Sequence, residues 1–395
     1  MEQRILNVDA GYEAMDQYWK ESGTKHLLLV CGASLQHTPL DACFAALPKR
    51  LGIAVTRFSG FQPNPEYASV VEGVRVFQNR GCDAIAAAGG GSAIDVAKCI
   101  RLWCRADMRK NLLEQTDAFD AIPFLAVPTT AGSGSEATRF AAIYHQGKKM
   151  SIAQEGCRPS AVCFVPEALN TLPAYHRKAA MLDALCHGIE SCWSLRATQE
   201  SRAYARQAIQ KIMESYEGYI QNQADGVTQT DCNAAMLQAA HLAGKAIDIA
   251  QTTAGHAMSY QLTRRYGVAH GHAVALCVAW LWPHLLEHTQ RCTDSRSRTH
   301  LDCGLQDIAQ AMGCPSARQA AERFRCILES LQLGVPSVGE AAIDDLVASV
   351  APERLNNYPI LLSSAELAKL YRDILHLRQT NATKGGSGNA ADCQL

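Results

Sequence analysis

DAIAAAGGGSAIDVAKCI, residues 83–100, is the stretch of this 395-residue sequence that decides the fold. The apolar run Ala84–Ala88 predicts a buried strand, the glycines that follow predict a tight turn, and Ala93–Leu102 predicts a helix. Glycines let backbone N–H groups approach a phosphate, and the helix N-terminus adds a positive dipole end. The spacing matches neither the Rossmann fingerprint nor a P-loop. A glycine turn that only packs a strand against a helix remains the alternative.

Strands and helices alternate through the first part of the chain. Such alternation predicts a parallel sheet whose strands are joined by helical crossovers. The predicted strands are His26–Cys31, Ile53–Phe58, Ala84–Ala88 and Phe124–Val127, and the predicted helices are Asp41–Leu51, Tyr67–Asn79 and Ala93–Leu102.

Beyond about Pro166, strand signals give way to alanine-rich amphipathic patterns. These predict helices at Lys178–Ser194, Glu200–Tyr219, Thr230–Asp248, Leu305–Met312 and Ala317–Leu331. We therefore predict an α/β domain over residues 1–166 and an all-helical domain over 167–383. The Gly/Ser-rich residues 384–395 are predicted to form a flexible tail.

Composition narrows the class of protein. A hydrophobic content of 48% and a charged content of 19% are typical of a globular protein. The formal net charge of -1 gives no electrostatic reason to expect a nucleic acid or an anionic membrane as partner. The 16 cysteines include no Cys-x-x-Cys pair, which favours reduced thiols and a cytoplasmic location. Neither a signal peptide nor a membrane-spanning run is apparent.

Histidines and one aspartate crowd two motifs in the helical part. MLDALCHGIES (residues 181–191) places Asp183 and His187 four residues apart, on one face of a helix. AGHAMSYQLTRRYGVAHGH (residues 254–272) adds His256 and His270. One oxygen and three nitrogen ligands suit a first-row divalent metal. The alternative for any single histidine is an ordinary core or surface role.

A second glycine- and hydroxyl-rich loop, PTTAGSGSEAT (residues 128–138), follows another predicted strand. Its hydroxyls and glycines suit a pyrophosphate and a ribose. Because the carboxyl ends of parallel strands share one sheet edge, the two loops predict one common ligand there.

GGGSAIDVAK, PTTAGSGSE, MLDALCHGIE and the GH…YGVAHGH stretch together resemble the iron-dependent (group III) alcohol dehydrogenase family, over nearly the whole chain. The resemblance implies a dinucleotide-binding α/β domain, an all-helical metal-binding domain, hydride transfer from NADH or NADPH to an aldehyde, and a homodimer. It implies Fe²⁺, with Zn²⁺ as the alternative, on Asp183, His187, His256 and His270. The implied cofactor contacts are Gly90, Gly91, Ser92, Asp95, Thr129, Thr130, Ser133 and Lys149.

The chain departs from the family's pattern at two places near these sites. Gly32 stands where many NAD-preferring members carry an acidic residue, so NADPH becomes an expected cofactor alongside NADH. Tyr260 stands where many members carry a histidine, and His272 lies nearby. Tyr260, His272 and water are therefore the candidate proton donors.

Lys245 lies in a helix of small and apolar residues, and its surroundings resemble the phosphonoacetaldehyde reductase branch, which acts in phosphonate biosynthesis. A dianionic substrate requires cations and hydroxyls. The candidates are Lys245, Thr252, Thr253, Arg264 and Arg139, although Arg264 also fits a solvated helix end. The alternatives are a general short-chain alcohol or diol dehydrogenase, a lyase resembling dehydroquinate synthase, and a non-catalytic sensor.

Overall fold

The computed structural model of the chain describes residues 3–7, 12–115, 121–221 and 226–375. These residues divide into two compact units. The first comprises the described residues of Met1–Pro173 together with Glu217–Gly244, and the second those of Ala174–Tyr216 together with Lys245–Leu395. The first unit thus extends to Pro173, and segment 217–244 groups with the α/β part, while the domain boundary at residue 166 stays a prediction. The tail predicted for residues 384–395 lies outside the described residues.

A six-stranded sheet forms the centre of the first unit, and a two-stranded antiparallel hairpin accompanies it. Neighbouring strands of the larger sheet are parallel throughout, in the order β1-β8-β5-β4-β2-β3. The strands are β1 (Arg4–Asn7), β2 (His26–Cys31), β3 (Ala54–Phe58), β4 (Ala84–Gly89), β5 (Phe124–Pro128), β6 (Phe140–His145), β7 (Lys148–Ala153) and β8 (Ala161–Phe164).

The central strands are continuous apolar runs because crossover helices cover both faces of a parallel sheet. All residues of β4 and β5 are buried. Gly89 at the end of β4 pairs with Pro128 at the end of β5. The loops that follow the two strands therefore leave the same edge of the sheet, side by side.

Among the described residues of the N-terminal part of this unit there are five α-helices. They are α1 (Glu13–Glu21), α2 (Pro39–Ala45), α3 (Leu47–Leu51), α4 (Tyr67–Arg80) and α5 (Gly91–Leu102). The single helix predicted over Asp41–Leu51 was wrong, since the structure has two helices there. Pro48 is the reason: it has no N–H to donate and is favoured in the first turn, where α3 places it.

The described residues after Pro173 are mainly helical. The α-helices are α6 (Ala174–Trp193), α7 (Gln199–Gln221), α8 (Gly226–Ala250), α9 (Ala254–Tyr266), α10 (His270–Glu287), α11 (Arg298–Ala311), α12 (Ala317–Ser330), α13 (Ile343–Ala348), α14 (Pro352–Leu355) and α15 (Ser364–Leu375). The predicted fold class, a parallel α/β domain followed by a helical domain, is confirmed. Among the described helices, none has the length and apolar character needed to cross a membrane.

Helix α10 runs through the core of the second unit. Its residues Ala273–Ala279 are buried without interruption. Trp282 of α10 packs edge-to-face on Trp193 of α6, with ring centroids 5.7 Å apart, and also meets Phe324 of α12. The wholly apolar middle of α10 thus fixes the helix ends that carry the histidines.

Candidate metal and cofactor sites

Helix α6 supplies the first two candidate ligands of the metal site. Asp183 and His187 lie one helical turn apart, and both are buried in a segment whose other residues are mostly apolar. Burying an ionised carboxylate costs free energy unless nearby groups stabilise its charge. The groups around Asp183 therefore indicate what it does.

Three imidazole nitrogens surround one oxygen of that carboxylate. Oδ1 of Asp183 lies 3.9 Å from Nε2 of His187, 3.7 Å from Nε2 of His256 and 4.0 Å from Nε2 of His270. These distances are too long for hydrogen bonds. They approach the edge of a tetrahedron, about 3.4 Å, whose corners lie about 2.1 Å from a metal ion.

Two of the atoms that face one another at this site are buried polar atoms without a hydrogen-bond partner among the described residues. They are Oδ1 of Asp183 and Nε2 of His256. Asp183, His187 and His256 also form the group of potential ligands whose donor atoms all lie within 4.8 Å of one another. Buried polar atoms normally have partners, so the donor set fits a bound divalent cation.

A glycine allows α10 to approach α6 at this point. A Cβ added to Gly271 would lie 2.5 Å from the Cβ of Asp183 and would overlap the carbonyl oxygen of Ala179. Gly271 directly follows His270, the first residue of α10. The close approach of the two helices is therefore what brings His270 to Asp183.

The electrostatics of the site keep Asp183 ionised. Burial would raise the pKa of its carboxyl, but His187, His270 and His256 together hold that pKa well below its usual range. Burial likewise opposes protonation of His256, yet the carboxylates of Glu190 and Asp183 raise the pKa of its imidazole to about 9. A cation bound at Nε2 would displace that proton.

Glu190 is a functional residue that the sequence reasoning missed. It is fully buried on α6, and its carboxylate contacts Nδ1 of His256, the hydroxyl of Thr253 and, at 2.9 Å, the backbone N–H of Gly255. Its place three residues after His187 and seven after Asp183, on the same helix face, was the available signal. A carboxylate on the far nitrogen of a ligand histidine orients the ring and increases its basicity.

Thr253 was predicted to contact substrate, and the structure corrects this. Its side chain is fully buried. Its hydroxyl donates to Glu190 and accepts from Nε1 of Trp193 at 3.0 Å. Because the hydroxyl both donates and accepts a hydrogen bond within the protein, Thr253 holds Glu190 in place instead of contacting substrate.

The other predicted substrate residues have different surroundings. In the second unit, Nζ of Lys245 lies 4.3 Å from the ring centroid of Tyr204, and Arg264 is exposed in the last turn of α9. Thr252 is buried, and its carbonyl accepts from Nδ2 of Asn357. Arg139 belongs to the first unit, where its guanidinium lies 3.8 Å from Glu155.

The two candidate proton donors lie close to the metal ligands along the chain. The ring of Tyr260 stacks on that of His270, with centroids 6.0 Å apart and 16° between their planes. His272 is buried, and burial lowers the pKa of its imidazole to about 4. Its Nδ1 is 3.3 Å from the hydroxyl of Tyr175, which also accepts from the N–H of Ala269 at 2.9 Å. Sequence reasoning missed Tyr175.

The first unit holds the predicted cofactor loops. The loop between β4 and α5 lies against the loop that follows β5: a Cβ added to Gly90 would lie 3.3 Å from Oγ1 of Thr130, and one added to Gly91 would lie 3.0 Å from Oγ of Ser133. No side chain caps the N-terminus of α5. The two loops thus present backbone N–H groups and hydroxyls together, as a phosphate requires. Ser92 and Thr129 flank these positions.

Asp95 was predicted to contact the cofactor, but both of its carboxylate oxygens are used within the protein. Oδ1 accepts from the hydroxyl of Ser135 at 2.6 Å, and Oδ2 accepts from the N–H of Ala142 at 3.0 Å. Burial raises the pKa of Asp95, while Lys98 opposes that rise. Asp95 therefore ties α5 to the second cofactor loop through Ser135, and its predicted contact with the cofactor stays a prediction.

Gly32 and Lys149 complete the predicted cofactor residues. Gly32 follows β2 in an extended conformation and begins a short 3₁₀ turn, so no carboxylate is present at this position. Lys149 is exposed on β7, and its charge, like that of Lys98, opposes the rise that burial causes in the pKa of Asp95.

Two family models match the chain. The model described as "Iron-containing alcohol dehydrogenase" matches residues 3–166, and that described as "Fe-containing alcohol dehydrogenase family, C-terminal" matches residues 178–360. The chain belongs to the iron-containing alcohol dehydrogenase family. This confirms the resemblance read from the four motifs, and it makes the protein an oxidoreductase of a family of NAD-dependent alcohol and aldehyde enzymes.

Individual relatives act on different substrates. The chain is 34% identical over 262 residues to a phosphonoacetaldehyde reductase from Streptomyces viridochromogenes, covering 61% of this chain and 64% of that relative. It is 31% identical over 360 residues to an NAD-dependent methanol dehydrogenase from Bacillus methanolicus, covering 90% of this chain and 85% of the relative. A crystal structure of 1,3-propanediol oxidoreductase superposes with a TM-score of 0.81 at 25% identity, covering 94% and 97% of the two chains.

Proposed function

We propose that the protein is a metal-dependent aldehyde reductase that converts phosphonoacetaldehyde and NAD(P)H into 2-hydroxyethylphosphonate and NAD(P)⁺. The observation that carries the metal-dependent activity is the placement of three imidazole Nε2 atoms 3.7 to 4.0 Å from one buried oxygen of Asp183. Fe²⁺ is the proposed ion, in keeping with the family, and Zn²⁺ is the alternative that the same ligands accept.

The reaction adds a hydride and a proton to a carbonyl group. When bound, the metal polarises the carbonyl as a Lewis acid and the nicotinamide supplies the hydride. Glu190 would orient His256 so that Nε2 faces the ion, and the glycine loop before α5 would hold the pyrophosphate through backbone N–H groups. Tyr260, His272 or a water molecule delivers the proton to the product oxygen.

The phosphonate in the proposed substrate is supported by the relative from Streptomyces viridochromogenes, which is named for that aldehyde. A dianion requires cations in its binding site. Lys245 and Arg264 are the proposed cations of the second unit and Arg139 that of the first, with the hydroxyl of Thr252 as a further donor.

A general short-chain alcohol or diol dehydrogenase is the second candidate function. The methanol dehydrogenase relative matches more of this chain than the phosphonoacetaldehyde reductase does. Lys245 also lies over the ring of Tyr204, so its charge already has a partner in the protein. Both candidates use the same metal and cofactor sites and differ only in the substrate.

Cofactor preference, assembly and location complete the proposal. Gly32 at the end of β2 offers no carboxylate to repel a 2′-phosphate, which supports the use of NADPH as well as NADH. We also propose that the protein is a cytoplasmic homodimer and that its substrates are small aldehydes. The formal net charge of -1 supports no role with nucleic acid or an anionic membrane.

The test compares substrates and cofactors on one preparation. The metal-free protein is reloaded with Fe²⁺ under anaerobic conditions, and the absorbance of NADH or NADPH is followed with phosphonoacetaldehyde or propionaldehyde. A much higher kcat/KM for the phosphonate supports the proposal. Equal or faster turnover of propionaldehyde supports the general dehydrogenase. No net consumption of NAD(P)H with any aldehyde would contradict both and favour a lyase resembling dehydroquinate synthase.

A further inference from the structure

The joint between α8 and α9 has an unusual backbone conformation. Gln251, the first residue after α8, has a φ of 58°, in the left-handed region that favours glycine. Three residues later α9 begins at Ala254, and His256 lies in its first turn. The direction in which α9 leaves this joint therefore determines where His256 lies.

One side-chain amide bridges the left-handed residue. Nδ2 of Asn357 donates to the carbonyl of Ala250 at 2.9 Å and to that of Thr252 at 3.1 Å, one on each side of Gln251. Asn357 lies between α14 and α15 and is 3% exposed. Both N–H hydrogens of the Asn357 amide thus hold the left-handed turn at Gln251, a conformation that glutamine does not favour.

Asn357 is itself fixed to the end of α6. Its backbone carbonyl accepts from the N–H of Leu195 at 3.1 Å. Its Oδ1 lies 3.0 Å from the hydroxyl of Ser194, which also lies 2.6 Å from the carbonyl of Ala250. Helix α6 carries Asp183, His187 and Glu190. The joint between α8 and α9 is therefore bonded to the end of the helix that supplies two of the four proposed metal ligands.

Hydrogen bonds lead from this joint to His256. The hydroxyl of Thr253 donates to Glu190, and the other oxygen of Glu190 contacts Nδ1 of His256. Nε1 of Trp193 fixes the same hydroxyl at 3.0 Å. All four of these side chains are at most 2% exposed, so water does not compete for the bonds.

We propose that Asn357 is a positioning residue for the metal centre: by bridging Ala250 and Thr252 it sets the turn at Gln251, and through Thr253 and Glu190 it sets the imidazole of His256. The inference rests on the metal site proposed above. If Asn357 contributed only to stability, its loss would lower the melting temperature without changing how the site binds a metal.

The test replaces Asn357 in the full chain and measures metal binding directly. Metal-free wild type and Asn357→Ala are titrated with Co²⁺ in competition with a chelator, and the visible d–d absorption of the bound ion is recorded. We expect Asn357→Ala to bind Co²⁺ about tenfold more weakly, as outer-sphere changes do, with an altered spectrum. Unchanged affinity and spectrum would overturn the inference.

A matched control and a rescue separate positioning from stability. Asn233 is also a fully buried amide, and it donates to the carbonyl of Pro166 at 3.0 Å and to Oδ1 of Asn170 at 2.8 Å within the first unit. Asn233→Ala should lower the melting temperature but bind Co²⁺ like the wild type. Adding Gln251→Gly to Asn357→Ala should restore part of the affinity, because glycine adopts the turn unaided. No restoration would overturn the route through Gln251.

A second readout needs no metal. In ¹⁵N-histidine-labelled, metal-free protein, the Nδ1–H proton of His256 bonded to Glu190 gives a downfield resonance, assigned by its loss in His256→Gln. Asn357→Ala should shift or broaden that resonance, whereas Asn233→Ala should not. A wild type that binds no Co²⁺ would refute the metal site, and the resonance would then test only whether Asn357 positions the imidazole of His256.

Discussion

Glu190 and Asp183 hold opposite sides of the same imidazole: the carboxylate of Glu190 contacts Nδ1 of His256, while Nε2 of that ring lies 3.7 Å from Oδ1 of Asp183. A neutral imidazole carries a proton on one nitrogen and a lone pair on the other. When a cation displaces the proton from Nε2, the carboxylate of Glu190 therefore keeps the remaining proton on Nδ1 and leaves the lone pair of Nε2 for the ion. This geometry explains why a carboxylate is fully buried on α6.

Replacement of Glu190 by glutamine should weaken metal binding by about 10- to 100-fold, because the amide neither carries the charge nor selects the tautomer. The dissociation constant for Co²⁺, measured against a chelator, checks this. Glu366→Gln is the control, since Glu366 pairs with Arg291 on a partly exposed face of the same unit. Wild-type affinity in Glu190→Gln would show that Glu190 has no role in orienting His256.

Gly271→Ala should both destabilise the protein and weaken the metal site. The added methyl group would lie 2.5 Å from the Cβ of Asp183, so α10 must move away from α6. Overpacking of this kind costs about 1–3 kcal/mol, measurable by urea denaturation. Gly339→Ala is the control because a Cβ there meets no atom within 4 Å. Equal stability of the two variants would contradict the close packing at Gly271.

The sequence predicted those parts of the fold whose patterns are local and long enough to read. The apolar run before the triple glycine and the helix after it correspond to β4 and α5. The strands β1 and β8 have four residues each and went unpredicted, since so short a run carries little periodic signal. The break at Pro48 was readable in principle, because proline inside a helical pattern interrupts it.

In the candidate site, too, the sequence predicted the residues that have a local signal and missed those that depend on packing between helices. The i, i+4 spacing of Asp183 and His187 is a local signal, and the structure brings His256 and His270 to the same carboxylate oxygen. The contacts of Glu190, Tyr175 and Asn357 depend on how separate helices pack. Thr253 was misassigned because a hydroxyl in a motif does not reveal which partner occupies it.

Gly91→Ala should raise the KM for NADH and NADPH by about tenfold or more, equivalent to at least about 1.4 kcal/mol of cofactor binding. A Cβ at this position would lie 3.0 Å from Oγ of Ser133, between the two cofactor loops. Steady-state kinetics at saturating aldehyde, with Co²⁺ affinity as the control, measures the effect. An unchanged KM for both cofactors would remove the glycine loop from the cofactor site.

Lys245→Met distinguishes the two proposed substrate classes. If the ammonium group binds the phosphonate, the KM for phosphonoacetaldehyde should rise by about tenfold, which corresponds to about 1.4 kcal/mol, while that for propionaldehyde stays constant. If Lys245 only packs over Tyr204, the variant should instead lose about 0.5–1 kcal/mol of stability with no substrate-dependent change. Tyr204→Leu is the matched variant, since it removes the ring and keeps the cation.

Cysteine reactivity should follow burial. Burial, which disfavours the thiolate, raises the pKa of Cys82 and of Cys157 to about 11 and that of Cys163 to about 12. Only the thiolate reacts rapidly with iodoacetamide, so these three thiols should stay unmodified in folded protein at pH 8.

Cys303 is the exposed cysteine among the described residues, and it should be alkylated before the buried ones. Peptide mass spectrometry over a time course measures the order, and the same reaction in denaturing urea, where every thiol should react, is the control. Raising the pH from 8 to 9 should leave Cys157 protected, because its pKa of about 11 lies above both values. Modification of Cys157 as fast as Cys303 in folded protein would show that the core beneath β5 opens on the timescale of labelling.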